Sequence, residues 1–542
     1  MNKKTYIILV ILIFIFAITI RVINYPNTIS DINCDEAMTA INAKSIAETG
    51  KDIYGTSYPV YFESWLTGGQ SAFATYIMAL FIKILGFSTL AIRLPILIMT
   101  IVSMFFILLL VEKVFDNKII ALIAIMLVAI NPWSIVQSQW ILDCNFFPHM
   151  LIISICLLII GIKDKKSSLL YASMVSFALT LYTYGIALYI VLLFLFFTCT
   201  YLLVKKEVTL FQILICILIF GIIAIPIILM SIINIFNLPT IQIGKLTIQN
   251  FEYFTRTSDM LIFSEDKLQT FQENSECLWD LLIKQNDKLI WNSFPNYGTI
   301  YLISMPFVTC GIIATLIYYF KSEEQRYSLS IILIIALLVC LLCGILINEI
   351  NINRLNAIWY ILLIFNAIGI YELVKIIKFK KITVLIIVFL YSFNFASFIK
   401  YYYKNGCKEI ADSYTWSRGL IDAVKYVNED ENINKIVISQ NTYNTDKRDI
   451  FIRYATKNEQ IEKIKKEDFF TFNTKGQRAQ MNYSTKEKEY VIESINEETK
   501  FDEQCYIITK NEFEKITKSE NIKYIEFNDY MVLKKEKNKW NK

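Results

Sequence analysis

Residues 5–23, TYIILVILIFIFAITIRVI, form an almost purely apolar run. A helix needs about 20 predominantly apolar residues to cross the hydrocarbon core of a bilayer, and this run has that length. It is too long for the core of a signal peptide, and no small-residue cleavage site follows it. We therefore expect the run to be a retained membrane anchor.

Similar runs recur along the chain as far as residue 400. Hydrophobic residues make up 55% of the chain and the mean hydropathy is +0.46, which is more than a soluble protein carries. The net charge of +5 is too small to indicate a nucleic-acid partner. We predict an α-helical polytopic membrane protein with about 11 transmembrane helices, whose environment is the lipid bilayer. The expected spans lie at about 5–24, 94–112, 119–136, 147–163, 168–185, 186–204, 209–230, 299–320, 328–348, 355–374 and 382–399.

Residues 72–87, AFATYIMALFIKILGF, are short for a span and contain Lys83. If this stretch does not cross the membrane, the basic clusters beside the other spans all face one side, which is then the cytoplasm. If it crosses, every later cluster turns outward while the amino terminus stays inside. We therefore expect residues 72–87 to form a juxtamembrane helix lying along the outer face.

This topology divides the chain into two predicted domains. Residues 1–400 form the membrane domain, with a cytoplasmic amino terminus and large outer loops at 25–93 and 231–298. Residues 401–542 are richer in Lys, Glu, Asn and Tyr, and we expect them to form a small α/β domain outside the cytoplasm. RGLIDAVKYVNED and ITKNEFEKIT are typical of helices, whereas KIVISQ, DIFIRYA, QCYIIT and KYIEFNDYMVLKK are typical of strands.

Three acids follow predicted spans on the outer side. Asp35 and Glu36 lie in CDEAMTAINAKSIAETG after the first span, and Asp143 lies in SQWILDCNFFP after the third. A carboxylate at this position can take a proton from an incoming hydroxyl. Other roles stay open: Asp35 could be a solvated cap, Glu36 an acid favoured by the helix macrodipole, and Asp143 a structural hydrogen-bond partner of the first loop.

Cations and aromatic side chains share this interface. Arg354, Arg93 and Lys83 could bind a phosphate group, although Arg354 could also be a simple interfacial anchor. Aromatic faces suit the apolar faces of sugar rings. Together with the acids, they suit a lipid-phosphate substrate that keeps its tail in the bilayer and its head group outside. The aromatic candidates are Tyr54, Trp65, Tyr182 and Tyr184.

The order of these features resembles the GT-C superfamily of lipid-linked sugar transferases, and especially the protein O-mannosyltransferases and bacterial aminoarabinose-type transferases. The resemblance covers residues 31–145: an Asp-Glu pair, the juxtamembrane helix GGQSAFATYIMALFIKILG, the RLP that opens the second span, and SQWILDCN. This last motif departs from the family, which usually has an arginine where Gln139 or Trp140 stands here. Beyond residue 145 the resemblance rests on the span count and on NRLN.

The resemblance implies a GT-C-like bundle and inverting transfer of a sugar from a polyprenyl-phosphate donor to an acceptor hydroxyl on the outer face. The acceptor would be a glycan or a protein. Asp35 would be the general base, and Glu36 and Asp143 would shape the acceptor site or share the proton. The family needs no nucleotide sugar, and its closest branches need no metal, so no cofactor is expected.

Two other functions remain open. A transporter or flippase of lipid-linked glycans would place ionisable residues within the spans, where they are nearly absent. A non-catalytic envelope-assembly protein would have no need of Asp35 and Asp143. The low Gly content and the high Ile, Lys and Asn content suggest an AT-rich bacterial genome. Cys34 and Cys144 each neighbour one of the acids, and whether they pair is open.

Overall fold

The computed structural model describes most of the chain, in two compact units. The first unit comprises residues 1–28, 59–81 and 88–406, and the second comprises residues 29–58, 82–87 and 407–542. The described residues are 2–64, 69–251, 261, 264–321, 324–348, 350–443, 445–457, 483–484, 488–496, 499, 501, 505–516 and 522–535.

The first unit is a bundle of apolar helices. Within the described residues, nine helices are long and apolar enough to cross a membrane. At 1.5 Å per residue, helices of 18 residues or more span most of a hydrocarbon core about 30 Å thick. The predicted multi-pass α-helical fold is therefore confirmed. The nine are Lys3–Val22, Thr89–Phe115, Asp143–Lys163, Ala187–Val204, Leu210–Ile235, Leu302–Lys321, Ser328–Ile345, Ile358–Ile376 and Lys380–Ala411.

Two of the expected spans are shorter than predicted. Residues 119–136 are not one helix, because Lys118–Ile130 ends at Asn131 and a separate helix, Pro132–Gln137, follows. The Asn131 side chain accepts a hydrogen bond from the backbone N–H of Ser134 at 2.8 Å and so caps the second helix. Pro132 stands at its first position, where a missing N–H costs nothing. The other expected span, 168–185, is the 14-residue helix Ser167–Thr180.

The predicted first outer loop contains a helix that the sequence suggested and a strand pair that it did not. Residues 72–87 contain the helix Ala72–Leu85, whose position at the outer interface stays a prediction. An antiparallel pair of short strands, Tyr61–Phe62 and Gln70–Ser71, precedes it. The remaining elements of the first unit are the strand pair Ile241–Ile243 and Leu246–Ile248, the helix Lys267–Lys284, the 3₁₀ turns Asp143–Asn145 and Leu302–Ser304, and the π turn Tyr402–Gly406.

The second unit contains a mixed six-stranded sheet, which confirms the predicted small α/β domain. The strands are β1 (Lys435–Ser439), β2 (Tyr483–Ser484), β3 (Glu489–Glu493), β4 (Cys505–Thr509), β5 (Ile522–Phe527) and β6 (Tyr530–Lys535). The central strand β1 runs parallel to β3 and β4, and β6 runs antiparallel to both β4 and β5. The order across the sheet is β2-β3-β1-β4-β6-β5.

The helices of the second unit confirm two predictions and correct a third. RGLIDAVKYVNED contains the helix Leu420–Asn428, and ITKNEFEKIT contains Lys510–Lys515. DIFIRYA, predicted to be a strand, lies instead in the helix Thr445–Ala455. Residues 450–455 are all buried, so no alternation marks a strand, and a short apolar run fits either structure. A further short helix is Cys407–Ala411.

The second unit also includes residues 29–58 of the predicted first outer loop. Their main element is the helix Cys34–Thr49, in which Ala37, Ala40 and Ala43 are fully buried. Small side chains allow the close approach of the helix Thr445–Ala455, which packs against it. Part of the predicted outer loop therefore packs with the carboxy-terminal residues. The predicted domain boundary at residue 400 places these two parts of the chain in different domains.

Candidate active site

Asp35 and Glu36 lie in the first turn of the helix Cys34–Thr49. Asn33 caps this helix, because its side-chain oxygen accepts a hydrogen bond from the backbone N–H of Asp35 at 2.9 Å. Gly50 ends the helix in the left-handed conformation, with φ of 71°. Asp35 is half-buried whereas Glu36 is fully buried. Of the two acids, Asp35 is therefore the more exposed to solvent.

The residues before Asp35 are bonded to a segment nearly 400 positions later in the chain. The backbone N–H of Cys34 donates to the Thr415 carbonyl at 2.8 Å, and that of Ser417 donates to the Ile32 carbonyl at 2.9 Å. The Asn33 amide also donates to the Thr415 hydroxyl at 3.1 Å. We call residues 31–34 and 415–419 the clamp. It fixes the backbone from which the Asp35 side chain projects.

Asp31 is the buried acid of the clamp. Its carboxylate accepts hydrogen bonds from the Ser417 hydroxyl at 2.6 Å and from the Gly419 N–H at 3.0 Å. Burial raises the pKa of Asp31, and these two hydrogen bonds oppose the rise. Gly419 adopts φ of 91°, which only glycine reaches without strain. Asp31 and Ser417 carry no signal in the sequence, because nothing local shows which distant residue will meet an acid.

Asp143 lies in the first unit and is 5% exposed. One carboxylate oxygen accepts from the backbone N–H of Ser71 at 3.0 Å, and the other from the N–H of Cys144 at 2.7 Å. The Cys144 carbonyl in turn accepts from the Asn356 amide at 2.6 Å. Asp143 thus makes the hydrogen bond to the first loop that the sequence left open as its structural role. A share in proton transfer stays a prediction for this residue.

The strand pair that contains Ser71 also brings in an acid that the sequence analysis did not single out. Glu63 directly follows the strand Tyr61–Phe62 and is 4% exposed. Phe62 pairs with Gln70, the neighbour of Ser71. Glu63 and Asp143 therefore belong to the same part of the first unit. The position of Glu63 among the aromatic residues of YFESW was the available sequence signal.

The three predicted phosphate-binding cations have different surroundings. Arg93 is fully buried, and its guanidinium donates to the Pro26 carbonyl at 2.8 Å. Arg354 is half-buried, and its guanidinium donates to the Asn348 carbonyl. Lys83 is exposed in the last turn of the helix Ala72–Leu85. Burial against a carbonyl favours a structural role for Arg93 and leaves Arg354 the better placed of the two arginines.

A buried arginine that the sequence analysis passed over joins the first helices. Arg21 is fully buried and donates to the carbonyls of Ala17, Ala129 and Val128 and to the Ser134 hydroxyl, at 3.0–3.2 Å. The Gln139 amide donates to the Arg21 carbonyl at 2.9 Å. Gln139, at the position where the resembling family usually has arginine, is therefore part of a packed junction. Arg21 was detectable as the one charge in an apolar run.

The aromatic candidates are distributed over both units. In the first unit, the Tyr182 hydroxyl donates to the Ile223 carbonyl at 2.7 Å, and Tyr184 is half-buried two residues later. In the second unit, Tyr54 is half-buried in the loop after Gly50, where its N–H donates to the Asp52 carboxylate at 3.0 Å. Trp65 lies outside the described residues. Sugar contacts for these residues stay predictions.

The cysteines and potential metal ligands add little to the site. Cys34 and Cys144 are both buried free thiols. Burial raises the pKa of the Cys34 thiol well above its usual range, which keeps it protonated and unreactive. In the part of the chain that the structure describes, no three His, Cys, Asp or Glu side chains cluster in a way that could hold a metal ion.

Part of the chain matches a known protein family, and its fold is similar to that of a solved structure. Residues 70–232 match the family model described as dolichyl-phosphate-mannose-protein mannosyltransferase. The chain is similar to the structure of ArnT from Cupriavidus metallidurans bound to undecaprenyl phosphate, with 9% identity, a TM-score of 0.57 and 98% of each chain covered. No curated protein matches the chain in sequence.

A second structure is more distant. The archaeal oligosaccharyltransferase AglB from Archaeoglobus fulgidus, in complex with an inhibitory peptide and a dolichol-phosphate, has 12% identity and a TM-score of 0.47. The match covers 84% of this chain and 64% of the archaeal one, so the chain spans less than two thirds of that protein's length. The family match and the ArnT-like fold together confirm the resemblance to the GT-C superfamily and the GT-C-like bundle.

Proposed function

We propose that this protein is a membrane glycosyltransferase that moves a sugar from a polyprenyl-phosphate donor to an acceptor hydroxyl, with Asp35 as the general base. The observation that carries the proposal is the setting of Asp35: a half-buried carboxylate at a capped helix start, on a backbone held by the clamp. The family match over residues 70–232 supports a lipid-linked donor. So does the ArnT-like fold, since that structure holds undecaprenyl phosphate.

The proposed reaction inverts the anomeric carbon. The acceptor oxygen attacks this carbon from the face opposite the phosphate while the Asp35 carboxylate takes its proton. The bond between the sugar and the phosphate oxygen breaks, and the electron pair leaves with the polyprenyl phosphate. The leaving phosphate gains negative charge, which a nearby cation would stabilise. Glu36, the buried neighbour of Asp35, shapes the acceptor site in this proposal.

Arg354 is the cation that we assign to the donor phosphate. It is half-buried, so its guanidinium is desolvated enough for a strong pairing with phosphate without being sealed inside the protein. Arg354→Ala should raise the KM for the donor and lower kcat. Arg93→Lys is the variant for comparison, because it changes a fully buried arginine that we do not assign to the phosphate. Unchanged transfer kinetics in Arg354→Ala would remove Arg354 from the site.

The experiment that tests the function is sugar transfer by the purified chain in proteoliposomes. Vesicles would contain a polyprenyl-phosphate sugar, and soluble acceptor glycans or peptides would be added outside. Transfer that requires both the donor and the chain supports the proposal. Movement of the donor between leaflets without transfer would instead identify a flippase, and neither activity would favour an assembly role.

We further propose that the amino terminus is cytoplasmic and that residues 401–542 lie outside the cytoplasm, by the positive-inside rule. Cysteines introduced at Lys165 and at Asn511, both exposed, would be labelled with a membrane-impermeant maleimide. The parent chain is the necessary control, because its native Cys310 is also exposed. Asn511→Cys should react in intact cells and Lys165→Cys only after permeabilisation; the reverse pattern refutes the topology.

A further inference from the structure

A basic cavity lies between helix ends of the first unit. Its volume is about 970 Å³, at the upper end of the range for small-molecule sites, about 300–1,000 Å³. The described lining residues include four lysines, Lys165, Lys205, Lys206 and Lys321, and one acid, Glu207. Positive charge is therefore in clear excess in this cavity.

Polar bonds between helices form the walls of the cavity. The Gln212 amide donates to the Ser167 hydroxyl at 3.2 Å, which joins the helices Leu210–Ile235 and Ser167–Thr180. Ser328, another lining residue, is held by the Tyr201 hydroxyl at 2.7 Å, which joins two further helices. The floor of the cavity is thus formed by bonded helices, and the exposed lysines stand around it.

Contacts with aromatic and apolar residues distinguish the lysines of this cavity from lysines that are merely solvated. The Lys205 ammonium lies 5.4 Å from the centre of the Tyr319 ring, which holds it at the cavity wall. By comparison, Lys113 is paired with Asp164 at 2.9 Å and is neutralised there. Apolar lining residues, including Ile162, Leu170 and Phe320, stand beside the lysines. This combination suits a ligand with an anionic head and an apolar body.

We propose that this cavity binds the phosphate group of an anionic phospholipid of the leaflet beside the lysines. Lysine ammonium groups bind phosphate as point charges, and basic pockets between transmembrane helices are suited to anionic head groups. The proposal is independent of the glycosyl transfer proposed above. A soluble phosphate compound has the same charged group and differs only in lacking the apolar body.

The test uses the full chain in detergent, supplied with equal amounts of phosphatidylglycerol and phosphatidylcholine and analysed by native mass spectrometry. The parent should retain phosphatidylglycerol in clear excess, and less of it as ionic strength rises. Replacing Lys205, Lys206 and Lys321 with Gln should reduce that preference by about fivefold per lysine. The same three positions changed to Arg should keep it, because charge is retained.

The matched control replaces three exposed lysines outside the cavity, Lys378, Lys380 and Lys381, with Gln. This variant should bind phosphatidylglycerol like the parent. Equal retention of both lipids by the parent, or an equal loss in the control, overturns the proposal. Inorganic phosphate, added at constant ionic strength, identifies the source. Without displacement the ligand is the lipid, whereas displacement at millimolar phosphate assigns the cavity to a soluble phosphate and overturns the lipid.

Discussion

Asp35 and Asp143 both follow an apolar run on the predicted outer side, yet the protein holds them in opposite ways. Asp35 is half-buried, and the hydrogen bonds around it fix its backbone. Asp143 is almost fully buried, and both oxygens of its carboxylate accept backbone N–H groups. A buried carboxylate whose two oxygens accept backbone N–H groups is a structural link between segments of the chain. The greater exposure of Asp35 is therefore the reason why we propose Asp35, and not Asp143, as the base.

The largest expected effect is that of Asp35→Asn on catalysis. The amide keeps the shape of the side chain and loses its basicity, so the rate of transfer should fall by about 10²–10⁴-fold. Donor binding and the thermal unfolding midpoint should be unchanged. Glu36→Gln should be milder, because Glu36 is fully buried. Transfer at the parental rate by Asp35→Asn would move the search for the base to Glu36, Glu63 and Asp143.

Asp143→Asn should show the opposite pattern, with stability affected more than chemistry. An amide NH₂ would face one of the two backbone N–H groups that now donate to the carboxylate. Leaving a buried donor unsatisfied costs about 1–3 kcal/mol, so the unfolding midpoint should fall. Asp116→Asn is the control: Asp116 is exposed and adopts φ of 50°, which asparagine tolerates. An unaltered midpoint with abolished transfer would make Asp143 a catalytic group.

The difference between the two acids was only partly predictable from the sequence. Both positions next to a span followed from the apolar runs, because a run of about 20 residues has few other structures open to it. The hydrogen-bond partners of the acids could not be predicted from these runs. Ser71 and Asp143 are 72 positions apart, and Asp31 and Ser417 are 386 apart, and neither periodicity nor propensity specifies such long-range pairs.

Two predictions of secondary structure were wrong, and they have different causes. The break at Asn131 had a local signal, an asparagine before a proline. The helix Thr445–Ala455 had a misleading one, since its Ile and Phe residues favour strands locally. It becomes helical where it packs against the helices Cys34–Thr49 and Leu420–Asn428. Tertiary packing decided that segment, and a single sequence does not show it.

The clamp gives a third, smaller effect. Ser417→Ala removes the hydroxyl that donates to the Asp31 carboxylate at 2.6 Å. A displacement of the backbone before Asp35 should lower kcat by about tenfold, within the range of up to about 10² for a misplacement of 1 Å. The pH at which transfer is half-maximal should stay unchanged, because Ser417→Ala shifts the position of Asp35 and neither adds nor removes a charge.

Ser413→Ala is the matched control for the clamp variant. Its hydroxyl donates locally to the Ile410 carbonyl at 2.6 Å, which lies outside the clamp. It should leave kcat unchanged. Equal kcat values for Ser417→Ala and the parent would show that the clamp does not position Asp35. Equal losses in both variants would show that any change in this segment lowers transfer.

The smallest effect concerns the pH dependence of stability through Asp31. Burial raises the pKa of this carboxyl in the folded protein, above its value near 3.9 in the unfolded chain. The folded state therefore favours the protonated form. The stabilisation that the protonated carboxyl gives the folded protein is complete below the unfolded pKa and is lost as the pH rises through the folded pKa.

Asp31→Asn removes this titration and keeps an oxygen for Ser417 and Gly419. The unfolding midpoint of the variant, compared with the parent at each pH, should be relatively higher at pH 7 than at pH 4. A constant difference between the two proteins from pH 4 to pH 7 would show that Asp31 has the same pKa in the folded and unfolded states.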